Sequence, residues 1–343
     1  MTADPAHDVT AIAALLRRAC ARYGGADGEI HGLHRLTGGA TKQTWAFDWH
    51  GDGPPQALIL QRTARAAAGA AGRAPKLDAR QEAEVMRAAR AGGAPAPVVR
   101  FVLQPSDGLG EGYVTERVDG ETLGRRIVHD AEFAQARQLM ARQCGEILAM
   151  IHRLPTQSLS WLCVLSPADE LAVYGELLQH CGVRHPALAY ALRWTARHLP
   201  QHWEPALVHA DFRTGNLIVG SAGIRCVLDW EIARIGDPMQ DLGVLCMRTW
   251  RVGGAGEAGG FGTREDLYAG YESVSGRPVD RERVRFWEAF GNLKWAIACA
   301  RRGSSQRPDR SPASLELSAI GRRLEEPLWD FFSSVAGKPA GST

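Results

Sequence analysis

Residues 207–238 read LVHADFRTGNLIVGSAGIRCVLDWEIARIGDP. A short apolar run breaks into His209, Asp211 and Asn216, recovers in LIV, crosses a SAG turn, and ends a second apolar run, CVL, on Asp229. Two apolar runs about a tight turn predict a small hairpin with its polar residues gathered at the ends. Asp237, Pro238 and Gln240 then supply an N-cap, an N1 proline and a capping-box partner for a helix carrying Leu242, Leu245 and Cys246.

Working outward, Val9, Ile12, Leu15, Leu16 and Ala19 recur at helical spacing until Gly24 and Gly25. Ile30–Leu36, Thr44–Trp49 and Ala57–Leu60 are apolar runs between glycine-rich turns, which predicts three antiparallel strands. The segment TARAAAGAAGRAPKL at 63–77 has no apolar face and reads as a loop or weak helix. A helical pattern from Asp78 to Ala91 stops at GGAPAP, and Val98–Leu103 and Gly112–Arg117 supply a fourth and fifth strand. After VDGETL the apolar period changes from about 2 to about 3.6, placing a boundary near 117–122. Met140, Cys144, Ile147, Leu148 and Ile151 line one later helix face, and Phe286, Phe290, Leu293 and Ile297 another. GGAGEAGGFG at 253–262 reads as a loop and 335–343 as a disordered tail.

The 343 residues exceed the roughly 250–300 at which one core stops growing, so two packed lobes are expected. A net charge of +2 without a run of like charges gives no sign of a nucleic-acid or anionic-membrane partner. No apolar run is long enough to span a bilayer and MTADPAHDVT is unlike a signal peptide, so the reading is cytoplasmic. The seven cysteines form no CxxC pair, which predicts reduced core thiols rather than zinc or disulfides. The ten tryptophans stand mostly in apolar helical contexts and read as core.

The element order is α+β: a small antiparallel sheet with one inserted helix over 1–117, then a larger, mainly helical lobe over 118–334 that holds the hairpin. HADFRTGN followed by LDWE resembles the catalytic segment of the protein-kinase-like fold, in the form carried by the aminoglycoside phosphotransferase and choline kinase superfamily. The match is one of motifs and extends over most of the chain. It implies ATP as donor, Mg2+ as cofactor and a small-molecule hydroxyl as acceptor, with a nucleotide-clamping first lobe and a substrate-binding second lobe.

Chemistry accounts for the spacing. Phosphoryl transfer needs the acceptor hydroxyl aimed at the γ-phosphorus and magnesium on the phosphates. Asp211 is the expected group for the hydroxyl proton. Asn216 and, thirteen residues on, Asp229 offer the hard oxygens magnesium takes. His209 is expected to position the loop by hydrogen bonding. The plainer alternative makes Asp211 and Asn216 turn residues, and leaves Asp229 unexplained.

In the first lobe LTGGATKQTW resembles the family's first turn, where Gly38 and Gly39 let backbone amides approach phosphate. The resemblance further implies a cation on the third strand paired with a glutamate on the inserted helix. That strand reads ALILQRT, with no lysine. Gln61 and Arg62 must point to opposite faces; Arg62 keeps the charge, with Glu82 as its expected partner and Glu84 as competitor. YVTERVDG resembles the connector, whose main chain from Glu116 to Val118 would meet adenine. Asp241 is expected to support the catalytic loop, and His152 to be a buried or capping histidine.

The helical lobe carries no acidic patch for a polycationic substrate, and its local cluster, Arg301 and Arg302, is basic. WEAFGNLKWAIACARRG also resembles family members related to, or fused with, acyl-CoA dehydrogenases, which implies a hydroxyacyl-CoA acceptor. Two other classes stay open: a catalytically silent nucleotide-binding module, motivated by the missing lysine, and a metal-dependent hydrolase built on His209, Asp211 and Asp229.

Overall fold

The computed structural model describes residues 9–25, 27–36, 42–63, 76–304 and 312–336. The chain divides into two compact units, the first ending at Asp119 and the second starting at Gly120.

In the first unit, α1 (Val9–Gly24) precedes strands β1 (Glu29–Leu36), β2 (Gln43–His50) and β3 (Gln56–Thr63), then α2 (Ala79–Ala91), β4 (Val99–Val102) and β5 (Glu111–Glu116). The strands form one antiparallel sheet in the order β1-β2-β3-β5-β4. The apolar face of α1, Ile12, Leu16, Ala19 and Cys20, packs into a core with Trp45, Phe47, Leu58, Leu60 and Val114 from the strands. Asp78 begins α2 with a reciprocal capping box, accepting from Gln81 N while Gln81 Oε1 accepts from Asp78 N. Most of the expected weak segment at 63–77, namely 64–75, lies outside the described residues.

The second unit is mainly helical: α3 (Gly124–His129), α4 (Ala134–His152), α5 (Pro167–Cys181), α6 (Pro186–Arg197), then strands β6 (Ala206–Val208), β7 (Leu217–Gly220), β8 (Gly223–Val227) and β9 (Arg234–Gly236). Next come α7 (Met239–Cys246), α8 (Arg264–Ser275), α9 (Arg281–Ser304), α10 (Pro312–Arg322) and α11 (Glu325–Val335). The hairpin is β7 with β8, and β6 pairs antiparallel with β9, so the two short sheets bracket the loop from His209 to Asn216. The 253–262 segment is a loop laced by Gly256–Gly260 and Ala258–Gly262 bridges.

Four expectations are corrected. Gln240 does not close a capping box, because its carboxamide oxygen accepts from Arg234 at 2.9 Å, whereas Asp237 does cap, accepting from Met239 N at 3.0 Å. The C-terminal helix runs to Val335, one residue into the expected tail, and 337–343 lie outside the described residues. Trp161 and Trp329 are exposed at 37% and 69%, not core. Cys163 and Cys181 are half-buried while the other five cysteines are buried, and all seven are free thiols. Among the described residues no helix is long and apolar enough to cross a membrane.

Candidate active site

The loop after β6 is held from beneath by one carboxylate. Asp241, fully buried in α7, accepts from His209 N at 2.8 Å through Oδ2 and from Ala210 N at 2.7 Å through Oδ1. His152 Nε2 lies 3.0 Å from the same Oδ2, and its Nδ1 lies 3.1 Å from the Tyr271 hydroxyl of α8. Burial works to raise the Asp241 carboxyl pKa, but the bond from His152 and the His209 backbone amide help to outweigh it, and the group is held below its usual range. His152 is therefore a buried structural histidine, and Asp241 supports the loop as expected.

His209 is fully buried, edge-on to Trp230 at 4.7 Å between ring centres. Asp211 N donates to its Nδ1 at 3.2 Å, so the ring proton sits on Nε2 and is donated to Leu228 O at 3.0 Å. Burial pushes its pKa down against the pull of Asp241 and Asp229, which favours this neutral tautomer. The imidazole thus ties the loop to the end of β8.

Two backbone positions here are left-handed although neither is glycine: Ala210 at φ 67° and Asp229 at φ 64°. Asp tolerates that region better than Ala, and such strain persists only where surroundings impose it. Around Ala210 those surroundings are the Asp241 bonds. The Asp211 carboxylate takes Arg213 Nε at 3.1 Å on both oxygens and Asn216 Nδ2 at 2.8 Å on Oδ2. Burial raises its pKa, opposed by Arg213 and Asn216, and the net direction is up. Asn216 Nδ2 also donates to Asp211 O at 2.9 Å, so the amide nitrogen is committed and Oδ1 is the atom left to face a cation. Leu228 N donates to Asn216 O at 2.8 Å, bringing Asn216 beside the turn that carries Asp229. Thr214, fully buried, donates to Gly259 O at 2.8 Å and fastens the far side of the loop to the glycine-rich segment.

In the first unit Glu82 pairs with a different cation from the one expected. The ammonium against Glu82 Oε2 belongs to Lys42, at 2.7 Å, immediately before β2. Arg62 is buried on β3, its Nε donating to Gln43 Oε1 at 3.0 Å and its Nη1 to Leu109 O at 3.2 Å. Register contributes: Gln43 is the cross-strand partner of Arg62, so the two side chains meet on the sheet. Gln61 accepts from the Tyr113 hydroxyl, and Glu84 pairs with Arg80 at 3.1 Å on the surface. Glu116 N donates to Val98 O and its side chain meets Arg100 at 3.0 Å; Val118 is half-buried. Gly38 and Gly39 lie outside the described residues. The missed lysine stood in LTGGATKQTW, where the glycines drew the reading.

A family model described as the phosphotransferase enzyme family matches residues 32–287, more than half of the chain. Acyl-CoA dehydrogenase family member 10 of Mus musculus is 41% identical over 64 residues, 18% of this chain and 6% of that protein. Acyl-CoA dehydrogenase family member 11 of Gallus gallus is 30% identical over 184 residues, 47% of this chain and 22% of that protein. The chain thus spans less than a quarter of either relative. Among solved structures, a Ralstonia eutropha protein provisionally described as an aminoglycoside phosphotransferase superposes with TM-score 0.71 at 20% identity, covering 94% of this chain and 97% of that one. A spectinomycin phosphotransferase in complex with ADP and spectinomycin gives 0.62 at 13%, covering 93% and 97%. These likenesses show the protein-kinase-like fold.

Proposed function

The chain belongs to the phosphotransferase enzyme family, and from that premise we propose that this small-molecule kinase moves the γ-phosphoryl group of ATP, with magnesium, to an acceptor hydroxyl. One observation carries the reading: the Asp211 carboxylate is fixed by Arg213 and Asn216 within a loop that Asp241 holds by two backbone amides. Oδ2 already accepts two bonds and Oδ1 one, which leaves Oδ1 lone pairs for an incoming hydroxyl. A carboxylate so placed orients that hydroxyl and accepts its proton as the oxygen attacks.

Asn216 Oδ1 and the Asp229 carboxylate are the groups that would hold magnesium. They are hard oxygens, and magnesium commonly takes only one or two carboxylates from protein, with phosphates completing its shell. Among the described residues no group of three or more His, Cys, Asp or Glu could hold a metal. Bound there, magnesium would offset charge on the β- and γ-phosphates. Lys42, steadied by Glu82, is the cation we assign to phosphate, in place of Arg62. Main-chain groups from Glu116 to Val118 are assigned to adenine, and Gly38 and Gly39 to the phosphate turn.

For the acceptor, the partial likeness to two acyl-CoA dehydrogenase family members supports a hydroxyacyl-CoA over an aminoglycoside. The silent-module reading rested on the lysine absent from the third strand, and the assignment of Lys42 to phosphate weighs against it. The test is ADP release with magnesium, ATP and a panel of 3-hydroxybutyryl-CoA, choline, spectinomycin and hygromycin B. Asp211→Asn is expected to abolish turnover while ATP still raises the melting temperature. Retained turnover in that variant overturns the assignment.

A further inference from the structure

Asp211 heads a continuous row of charges and rings. Arg213 Nε spans its two oxygens, the Arg213 guanidinium carbon lies 4.7 Å from the centre of the Trp250 ring, and Trp250 lies 5.2 Å from Trp295. Arg302, in the last turn of α9, lies over Trp295 at 5.2 Å. Trp250 stands on a single 3-10 turn, 248–251, that is firmly tied: Trp250 N donates to Met247 O at 3.0 Å, and Arg251 donates to Cys246 O at 2.8 Å and meets Glu288 at 3.6 Å.

We propose that Trp250 is a positioning residue for phosphoryl transfer, its ring face holding Arg213 where Nε bridges both oxygens of Asp211. The inference rests on the functional reading above and adds a residue outside the loop to it. Arg213 is 26% exposed and its long side chain would otherwise be free to swing into water. The negative face of an indole attracts a guanidinium, more so where water is partly excluded. Trp295 braces Trp250 in turn, so the wall is itself fixed. With Arg213 held, Asp211 cannot rotate its two oxygens, and Oδ1 keeps one direction for the acceptor.

The test uses the full chain with ATP, magnesium and whichever compound of the panel above is turned over. Trp250→Leu is expected to lower kcat about tenfold with KM for ATP changed less than about twofold, while Trp250→Phe keeps most of the rate. In an Arg213→Ala background Trp250→Leu is expected to cost nothing further, because the coupling runs through Arg213. Where Trp250→Leu does not fold, Trp250→Met fills the space without a ring face and serves the same comparison. An unchanged kcat in the single variant, or an undiminished cost in the Arg213→Ala background, overturns this inference alone. A wild-type protein that turns over nothing in the panel overturns the functional reading, and this one with it.

Discussion

Lys42 Nζ lies 2.7 Å from Glu82 Oε2, and the Glu82 side chain is almost wholly buried while the Lys42 side chain is 17% exposed. A buried carboxylate with a cation at its edge holds that cation at one place, ready to contact phosphate. Lys42→Met is therefore expected to raise KM for ATP and lower kcat, together reducing kcat/KM by on the order of 100-fold. Arg62→Met is expected to act on stability instead, because the buried Arg62 is bonded to Gln43 of β2 and to the Leu109 carbonyl in the loop before β5. Steady-state kinetics beside thermal melts of both variants make the comparison. Equal kinetic damage from the two would return Arg62 to the phosphate site.

The hairpin and both lobes were legible because they rest on local signals. Alternating and 3.6-period apolar residues mark strands and helices, and Asp211, Asn216 and Asp229 stand at the ends of apolar runs. Asp241 was read as a support through the resemblance of GDPMQDLG to the superfamily, not through a local signal. What sequence could not show depends on register and on packing between distant segments. Arg62 was preferred over Gln61, and Lys42 was not considered, because the position opposite Gln43 is invisible until β2 and β3 are paired. Trp250, Thr214 and Glu170 are far along the chain from their partners Arg213, Gly259 and Lys294, and no periodicity links such pairs.

Asp241→Asn tests the loop's support. The carboxylate accepts on both oxygens, from His209 N and Ala210 N, whereas an amide would set its own N–H against one of those donors. One buried donor left unsatisfied costs about 1–3 kcal/mol. The left-handed Ala210 would then lose part of what imposes its conformation. The expected result is a fall in Tm of about 3–10 °C and a loss of kcat on the order of 100-fold, since small displacements of a reacting group are that costly. A variant with normal kcat and lowered Tm would confine Asp241 to stability.

Glu170 predicts how stability depends on pH. It is buried on α5, where Lys294 Nζ donates to it at 2.8 Å and Arg234 also pairs with it. Burial pushes its pKa up, but Arg234 and Lys294 outweigh burial and hold it below the usual value. A carboxyl lowered on folding contributes stability that is complete above its unfolded value of about 4.3 and is lost as pH falls through the folded value. Glu170→Gln leaves two buried cations without a counter-charge and is expected to cost about 3–5 kcal/mol at pH 7. The gap from wild type should narrow below pH of about 4. Denaturant unfolding at both pH values measures it, and a gap constant with pH would show that the ion pair is not its source.

Two glycines let α4 and α8 approach backbone to backbone. A Cβ at Gly145 would overlap Leu267 O and come within 2.5 Å of Tyr271 N; one at Gly270 would overlap Arg142 O. None of these atoms can yield without moving a helix. Gly145→Ala is therefore expected to destabilise by about 1–3 kcal/mol despite the better helix propensity of alanine. Gly175, also inside a helix, has nothing within 4 Å of its added Cβ, so Gly175→Ala should stabilise by about 0.5–1 kcal/mol. Parting α4 from α8 also separates His152 from Tyr271, and His152 reaches the loop that carries Asp211 through Asp241. Gly145→Ala should thus lower kcat as well as Tm, whereas Gly175→Ala should raise Tm and leave kcat unchanged. Melting curves and kinetics on the two variants decide whether the α4–α8 contact positions the loop or only packs the lobe.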